Sequence, residues 1–566
     1  VSGGAHIGLD LGSGAAMTGD LSAADGRIDA VVSGGRLLGA TRGNVGMTLT
    51  DGSWQMTADS SLASLALDGG SLTLGDGSRW QTLRVDGGLT GSAGDVVFHT
   101  QMNAGGALAA QNTDRLLIAG DVTTTGRTRI LVVPTGDGAL TDANRNGAVD
   151  ANEGISLIQV AGSSRADAFV LAGTYVAAGP YQYTLHAFGP GATDASQSLL
   201  PSGTSWDYRL GNRYVSDCGD ACPPVDPVPE PGLDPEPEPS PDPVDRVAIV
   251  PQLPSYMLAP MALQNYGNAL NDGLHQRLGE IRDSTYGAQA GGEVFARAIS
   301  SQLNYTRNLS FQRYGYDFDQ QINALQVGAG IVAVDTDQGS IRAGWALDSG
   351  STRVTPSAAD GNSRAKYYAN GGHAWVTYQH GSGLWVDGVL GVTRFHGDVS
   401  TDLRGDEVGK LHAQGWTMSV EVGKPLPLGG DWTVEPQFQF RVQQLNFRDF
   451  RDKDGLDIRL GNSVQATSRL GIQIGRTANP VFAPYGRLDL IHISNGNPTL
   501  QASSEAWNAG DTFQTGNTGN AYRVAAGLTS QLTDHVQLYG EGTWQHFVGS
   551  YGLKGWSANA GIRVTF

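Results

Sequence analysis

Cysteine, positive charge and uninterrupted apolar sequence are all scarce in this chain of 566 residues. Its two cysteines, Cys218 and Cys222, lie in DCGDACPP. In an oxidising compartment they can close a small disulfide loop, the alternative being free thiols, and a metal site would need more ligands nearby. Lys and Arg number 37 against 55 Asp and Glu, a net charge of −18. Such a balance excludes a nucleic-acid partner, because phosphate binding needs clustered cations. No run of about 18 apolar residues occurs, so no transmembrane helix is expected. The G-x-S-x-G and H-E-x-x-H motifs are missing as well, which gives hydrolase chemistry little support. The sequence starts at Val1 with neither Met nor a signal peptide, from which a missing upstream segment is expected.

What is abundant is glycine, 80 residues, with 11 Trp and only 16% charged residues, a composition that points to an all-β chain. Residues 1–115 hold short β-like runs such as SLASLALDGGSLTLGDGS, repeating at near twenty residues, the range of solenoid coils. Leu62, Leu65, Leu67, Leu72 and Leu74 would face neighbouring coils, and stacking is required because one coil cannot bury its face alone. A β-sandwich is the competing architecture. Over 116–215 longer, more regular strands are expected to close the solenoid. Within them DANRNGAVDANE places Asp142, Asn144, Asn146, Ala148, Asp150 and Glu153 at the ligand positions of an EF-hand-type loop, with Gly147 at the turn, suiting a structural Ca2+. The alternative is an Asx-rich hairpin whose side chains cap their own turn. Residues 216–254, rich in Pro and acids, read as a stiff polyproline spacer.

Pro260–Asp283 is expected to form one helix with Pro260 at its first position, inside a segment spanning 255–285. About two dozen residues at 1.5 Å each give roughly 36 Å, enough to cross a membrane. Its Asn, Asp, His and Arg content forbids contact with lipid, while Gly267, Gly273 and Gly279 would fit it into a narrow wet lumen; an ordinary surface helix is the alternative. From about Gly291 onward, within a domain expected over 286–566, the period becomes two. Trp432, Val434, Phe438 and Phe440 alternate with Glu435, Gln437, Gln439 and Arg441, and WSANAGIRVTF repeats the pattern. An apolar outside and a polar inside fit a transmembrane β-barrel of about twelve strands. Trp345, Trp416, Trp432, Trp544 and Trp556 suit its interfacial girdles. Short turns are expected near 335–339, 380–383, 425–431, 478–480 and 532–535, and longer loops near Asn304, Ala358, Arg404, Arg451, Asn495 and Tyr551.

The order TLRVDGGLTGSAGDVVF, DRLLIAGDVTTTGRTRILVV, SLIQVAG, YQYTLHAFG and WDYRLG, followed by NAL and RLGEIR before a barrel ending in Phe566, resembles pertactin-type autotransporters of type V secretion. The resemblance implies a right-handed parallel β-helix passenger end with an autochaperone-like region, a Pro-rich linker, and a helix plugging a twelve-stranded barrel. It implies a Gram-negative outer membrane, a surface or released passenger of adhesin or virulence type, and the barrel-assembly machinery and periplasmic chaperones as partners, besides a host-surface ligand. Trp556, Ile562, Val564 and Phe566 correspond to the assembly signal. Asn268–Ala269 corresponds to the bond that several relatives cleave within the barrel. Asp387, Glu421 and Glu435 are the lumen acids able to assist, unless they pair with Arg342, Arg441, Arg487 or Arg563. The alternative function is a membrane-embedded lipase or esterase, for which His492 and Ser494 are the nearest pair.

Overall fold

The computed structural model describes residues 3–136, 138–217, 245–279, 292–476, 481–495, 498–504 and 509–566. Cys218, Cys222 and the proline-rich sequence 218–244 lie outside the described residues, as do Glu280–Asp283 of the expected helix and the turn near 478–480. Two compact units are present, one formed mainly by the residues up to 217 with 245–250, the other containing the barrel.

The first unit is a parallel stack. His6–Leu11, Leu21–Ser33, Thr41–Thr50, Ser64–Thr73, Leu89–Gln101, Thr128–Thr135 and Phe169–Leu171 pair in that order, each a rung above the last. Parallel register places like on like: Leu37, Trp54, Leu72, Val96 and Ile130 form one ladder through the core, all essentially inaccessible. Burying each such aliphatic side chain contributes about 1.5–3 kcal/mol, available only when the rung beyond is in place. Leu62, Leu65, Leu67, Leu72 and Leu74 are all buried, so this is the β-helix and not the sandwich. Rung spacing needs tight corners: Gly91 adopts φ +118°, and a Cβ there would collide with the Leu67 carbonyl of the rung below.

The closing region differs from expectation. Its strands are no longer than those before it, since Leu21–Ser33 and Leu89–Gln101 at 13 residues exceed all of them. What changes is direction. Ser60–Leu62, Thr82–Val85, Arg115–Ile118 and Ile155–Val160 run parallel, and Trp206–Asn212, Tyr181–Phe188 and Val176–Ala178 then add antiparallel. Antiparallel strands need only short connections, so the chain folds back over the open end and buries every residue of Ile155–Val160. The spacer is also shorter than 216–254: Arg246–Val247 pairs with Tyr214–Val215, and Ala248, Ile249 and Val250 are buried, as an apolar VAIV run dictates.

In the second unit the helix begins earlier than the sequence suggested. Helix α1 spans Gln252–Leu270 with Pro260 in its interior, and α2 is a separate turn, Leu274–Leu278. Twelve antiparallel strands surround them: β1 (Glu293–Thr306), β2 (Asp317–Thr336), β3 (Gly339–Ser357), β4 (Ser363–His380), β5 (Trp385–Thr401), β6 (Gly405–Gly423), β7 (Trp432–Phe447), β8 (Ser463–Arg476), β9 (Ala483–Asn495), β10 (Asn520–Thr533), β11 (Val536–Val548) and β12 (Gly552–Thr565). Continuous pairing of β1 with β12, from Glu293 opposite Thr565 to Thr306 opposite Gly552, closes the sheet and removes its edges. The period of two is realised: Phe438 is 46% exposed on the outside while Glu435 is 1% exposed within. The five girdle tryptophans all face outward. Strands β2–β6 carry 17 to 20 residues, beyond the about 9–11 that a tilted crossing needs. Their hairpins therefore rise past the apolar band, and the connections near Ala358 and Arg404, expected to be long, are short, as is the one near Tyr551.

Candidate functional site: the barrel lumen and its plug

The lumen is where a polar helix meets polar walls. Seventeen of the 19 residues of α1 are buried, and their polar groups find partners among inward positions of the strands. The Gln264 amide donates to Ser463 at 2.8 Å, Asn265 to Gln320 at 2.8 Å, and Gln320 donates in turn to the Ala262 carbonyl at 2.8 Å. Small residues set the clearance, as the sequence implied: a Cβ at Gly267 would collide with the Gln443 side-chain oxygen. Pro260 cannot donate a helical hydrogen bond, a cost of about 3 kcal/mol in an exposed helix interior. Here the enclosing wall holds the helix on both sides of it.

Between α1 and α2 the chain leaves the helix at Asn271–Gly273, which exposes backbone groups that a buried break must satisfy. The wall supplies the partners. Arg297 donates to the Leu270 and Gln276 carbonyls, Arg441 and Gln439 to the Asn271 carbonyl at 2.9 and 3.2 Å, Tyr539 to Arg277 O at 2.7 Å and Arg563 to Leu278 O at 2.7 Å. The Leu274 N–H donates to Glu421 at 2.8 Å. Cations thus collect at a helix C-terminus and a carboxylate at a helix start, as backbone dipoles favour.

Asn268 lies in the last turn of α1. Its amide nitrogen donates to Gln465 Oε1 at 3.0 Å and its oxygen accepts from Gln443, so both ends of the side chain are held. A cavity of about 50 Å³ adjoins Asn268 and Ala269, bordered by Asp272, Arg441, Arg469 and Arg523. The three acids singled out from sequence surround α2. Asp387 pairs with Arg277 and accepts from Thr377 at 2.6 Å. Glu421 pairs with Arg469 at 2.5 Å. Glu435 lies 3.0 Å from His275 and accepts from Trp385 at 3.2 Å. None of them borders the cavity; the acid that does is Asp272, paired with Arg523 at 3.1 Å. Arg441 and Arg563, offered as partners of those acids, donate to the Asn271 and Leu278 carbonyls. Gln443 and Gln465 were not singled out, although their inward phase in the period of two marks them as wall residues.

The other candidates fall elsewhere. In the 142–153 turn, Asp142 accepts from the N–H groups of Asn146 at 3.2 Å and Gly147 at 2.9 Å and from the Tyr214 hydroxyl at 2.9 Å. Glu153 accepts from Ala143, Asn144 and Asp150 N–H groups, and the Asn144 and Asn146 amides donate to Asp150. Among the described residues no three His, Cys, Asp or Glu side chains gather as metal ligands. The side chains of Asp142, Asn144, Asn146, Asp150 and Glu153 thus share one turn, where the carboxylates of Asp142 and Glu153 accept from its own N–H groups. His492 meets the Asn520 oxygen at 3.0 Å, one residue removed from Ser494 on the same exposed face, with no carboxylate hydrogen-bonded to it among the described residues. Trp556, Ile562 and Phe566 are exposed and Val564 half-exposed along β12.

A closed barrel, apolar outside, with a polar helix held in its lumen, defines a plugged outer-membrane pore. Residues 294–543 match the model of the autotransporter β-domain, and 60–185 that of the type 1 autochaperone domain. The chain thus carries an autotransporter β-domain and an autochaperone region similar to those of pertactin-type autotransporters, and its barrel lies in the outer membrane of a Gram-negative cell. It is 26% identical to the adhesin BmaC autotransporter of Brucella suis biovar 1 over 73% of this chain and 11% of that protein. To the BrkA autotransporter of Bordetella pertussis it is 25% identical over 54% of this chain and 29% of the relative. The solved β domain of BrkA is 20% identical and covers 49% of this chain and all of its own, with a TM-score of 0.39. The chain spans less than a third of the length of these curated relatives.

Proposed function

We infer that this chain carries the β-helix preceding its barrel across the outer membrane and displays it at the cell surface as an adhesive stalk. The observation that carries the reading is the plug: a polar helix whose broken end is capped by wall residues is chain retained in the channel through which the preceding segment passed. The adhesin reading draws on the names of relatives, BmaC of Brucella suis and the adhesin/invasin TibA of Escherichia coli. The partners in this reading are the barrel-assembly machinery, engaging the outward residues Trp556, Ile562, Val564 and Phe566, periplasmic chaperones, and a host-surface ligand. Protease added to intact cells expressing the chain should remove the β-helix and spare the barrel. Deleting Phe566 should deplete both from the outer membrane. A β-helix that only becomes sensitive after cell lysis would refute display.

A second reading concerns the pinned asparagine. Attack of Asn268 Nδ2 on the carbonyl carbon of Asn268 forms a succinimide ring as the bond to Ala269 breaks. The proton leaves Nδ2 and ends on the Ala269 nitrogen, so no co-reactant is consumed. Gln443 and Gln465 restrict the amide to few orientations, which lowers the entropy cost of attack. Intact masses from outer membranes should show a fragment beginning at Ala269 in the wild type and not in Asn268→Ala. An uncleaved chain in both excludes this chemistry.

A further inference from the structure

The outer face of β3–β6 carries a feature that translocation does not use. In register across these four strands, Leu347, Gly372, Val392 and Trp416 form one outward row at the upper edge of the apolar band. One step toward the loop rim the row is Ser349, Asn370, Arg394 and Gln414; the next is Ser351, Tyr368, His396 and His412; the third is Arg353, Lys366, Asp398 and Lys410. Each step is two residues, about 7 Å along a strand, and with a tilt near 45° the three rows stand roughly 5–15 Å above the apolar edge. That is headgroup height. Arg364 continues the patch above.

The cations here are largely unspent. Arg353, Arg364, Lys366 and Arg394 make no ion pair among the described residues, in a chain whose net charge is −18. The local acids are Asp398, beside Lys366 and Lys410, Glu407, which holds Lys410 at 2.9 Å, and, at the turn above, Asp406 and Asp402, the latter accepting from Asn362 at 2.8 Å. Lys366 sits 4.7 Å from the Tyr368 ring centroid, and Tyr368 stacks on His396 at 5.5 Å with 22° between planes. The patch therefore offers an aromatic platform flanked by cations, directly above Leu347, Val392 and Trp416. At the corresponding height β1, β2 and β12 present Asn304, Asp319 and Lys554 in one row, with Gln321 and Asn323 nearby. The basic character of β3–β6 is thus not shared by β1, β2 and β12.

We propose that the outer face of β3–β6 is a binding site for the phosphorylated saccharide headgroup of outer-leaflet lipopolysaccharide. Arg394, Lys366 and Arg353 take the phosphates, Tyr368 and His396 lie against the sugar, and the acyl chains descend over Val392 and Trp416. Charge complementarity selects the partner: unpaired Lys and Arg at headgroup height attract anionic lipid, each strengthening binding by about fivefold.

The test uses the full chain refolded in detergent micelles and titrated with bisphosphorylated lipid A, with dephosphorylated lipid A and with inorganic phosphate. The bisphosphorylated lipid should bind, the dephosphorylated form should bind far more weakly, and excess inorganic phosphate should not displace it. Lys366→Gln/Arg394→Gln should lose roughly 25-fold in affinity, and Lys554→Gln should lose none. These positions face outward, so folding is checked by the heat-dependent gel shift of the barrel, and Lys366→Gln alone, with about a fivefold loss, serves if the double variant does not fold. Equal binding of both lipids, wild-type affinity in the variants, or displacement by inorganic phosphate would each overturn the assignment.

Discussion

Replacing Arg209 by Met should destabilise the cap of the β-helix by about 3–5 kcal/mol, the range for removing one partner of a buried ion pair. Arg209 is inaccessible and makes three contacts: to Asp207 at 2.8 Å, to the Glu153 carbonyl at 2.6 Å and to the Gly154 carbonyl at 3.3 Å. Its loss leaves two carbonyls without that donor, each costing about 1–3 kcal/mol, and a buried carboxylate without its adjacent countercharge. Burial already raises the Asp207 pKa above the ordinary carboxylate value against the pull of Arg209. The acid can therefore take up a proton in the variant, which limits the total to the stated range. For a unit of this size about 2–4 °C accompanies each kcal/mol, so the β-helix transition should fall by roughly 6–20 °C. Thermal unfolding of the full chain in detergent reads this directly, with the barrel transition as an internal control. Asp207→Leu/Arg209→Met should recover most of the loss, because it removes both buried charges. A fall under about 2 °C, or a double variant as weak as the single one, would refute the account of the pair as dry and mutually dependent.

Three further outcomes follow from the same geometry. Burial lowers the pKa of His186, which lies 3.1 Å from the Thr184 hydroxyl, below 6.5. The unfolded chain takes the proton first, so the cap's full stability is present above about pH 6.5 and declines as pH falls; melting at pH 7.5 and 5.5 should show this slope, and His186→Gln should flatten it. Arg297→Gln should free the Leu270 and Gln276 carbonyls, at about 1–3 kcal/mol each, loosening the plug and raising single-channel conductance in planar bilayers; unchanged conductance and melting would count against wall capping. If the 142–153 turn takes Ca2+, adding it should raise the β-helix melting temperature by several degrees and chelator should reverse the rise; a melting temperature that moves with neither would leave the self-capped Asx-rich turn.

The alternation of Phe438 and Phe440 with Glu435, Gln437 and Arg441 was enough to specify a barrel strand and its orientation, and the spacing of Leu65, Leu67 and Leu72 enough to specify stacked rungs. Both are properties of local periodicity, which sequence carries in full. The ends and breaks of elements were different. Pro260 looked like a helix start and lies inside α1, and the interruption at Asn271–Gly273 left no strong signal, because each depends on what stands opposite. The partners of that break, Arg297, Arg441, Tyr539 and Arg563, come from strands widely separated along the chain. Likewise the pairing of Asp387 with Arg277 and Glu421 with Arg469, and the position of Asp272 beside Asn268, follow from the register with which twelve strands close around the helix. A period of two tells which side chains point inward. Only closure of the sheet decides which of them meet, because a polar group inside a membrane must take whatever partner the wall brings within hydrogen-bond reach.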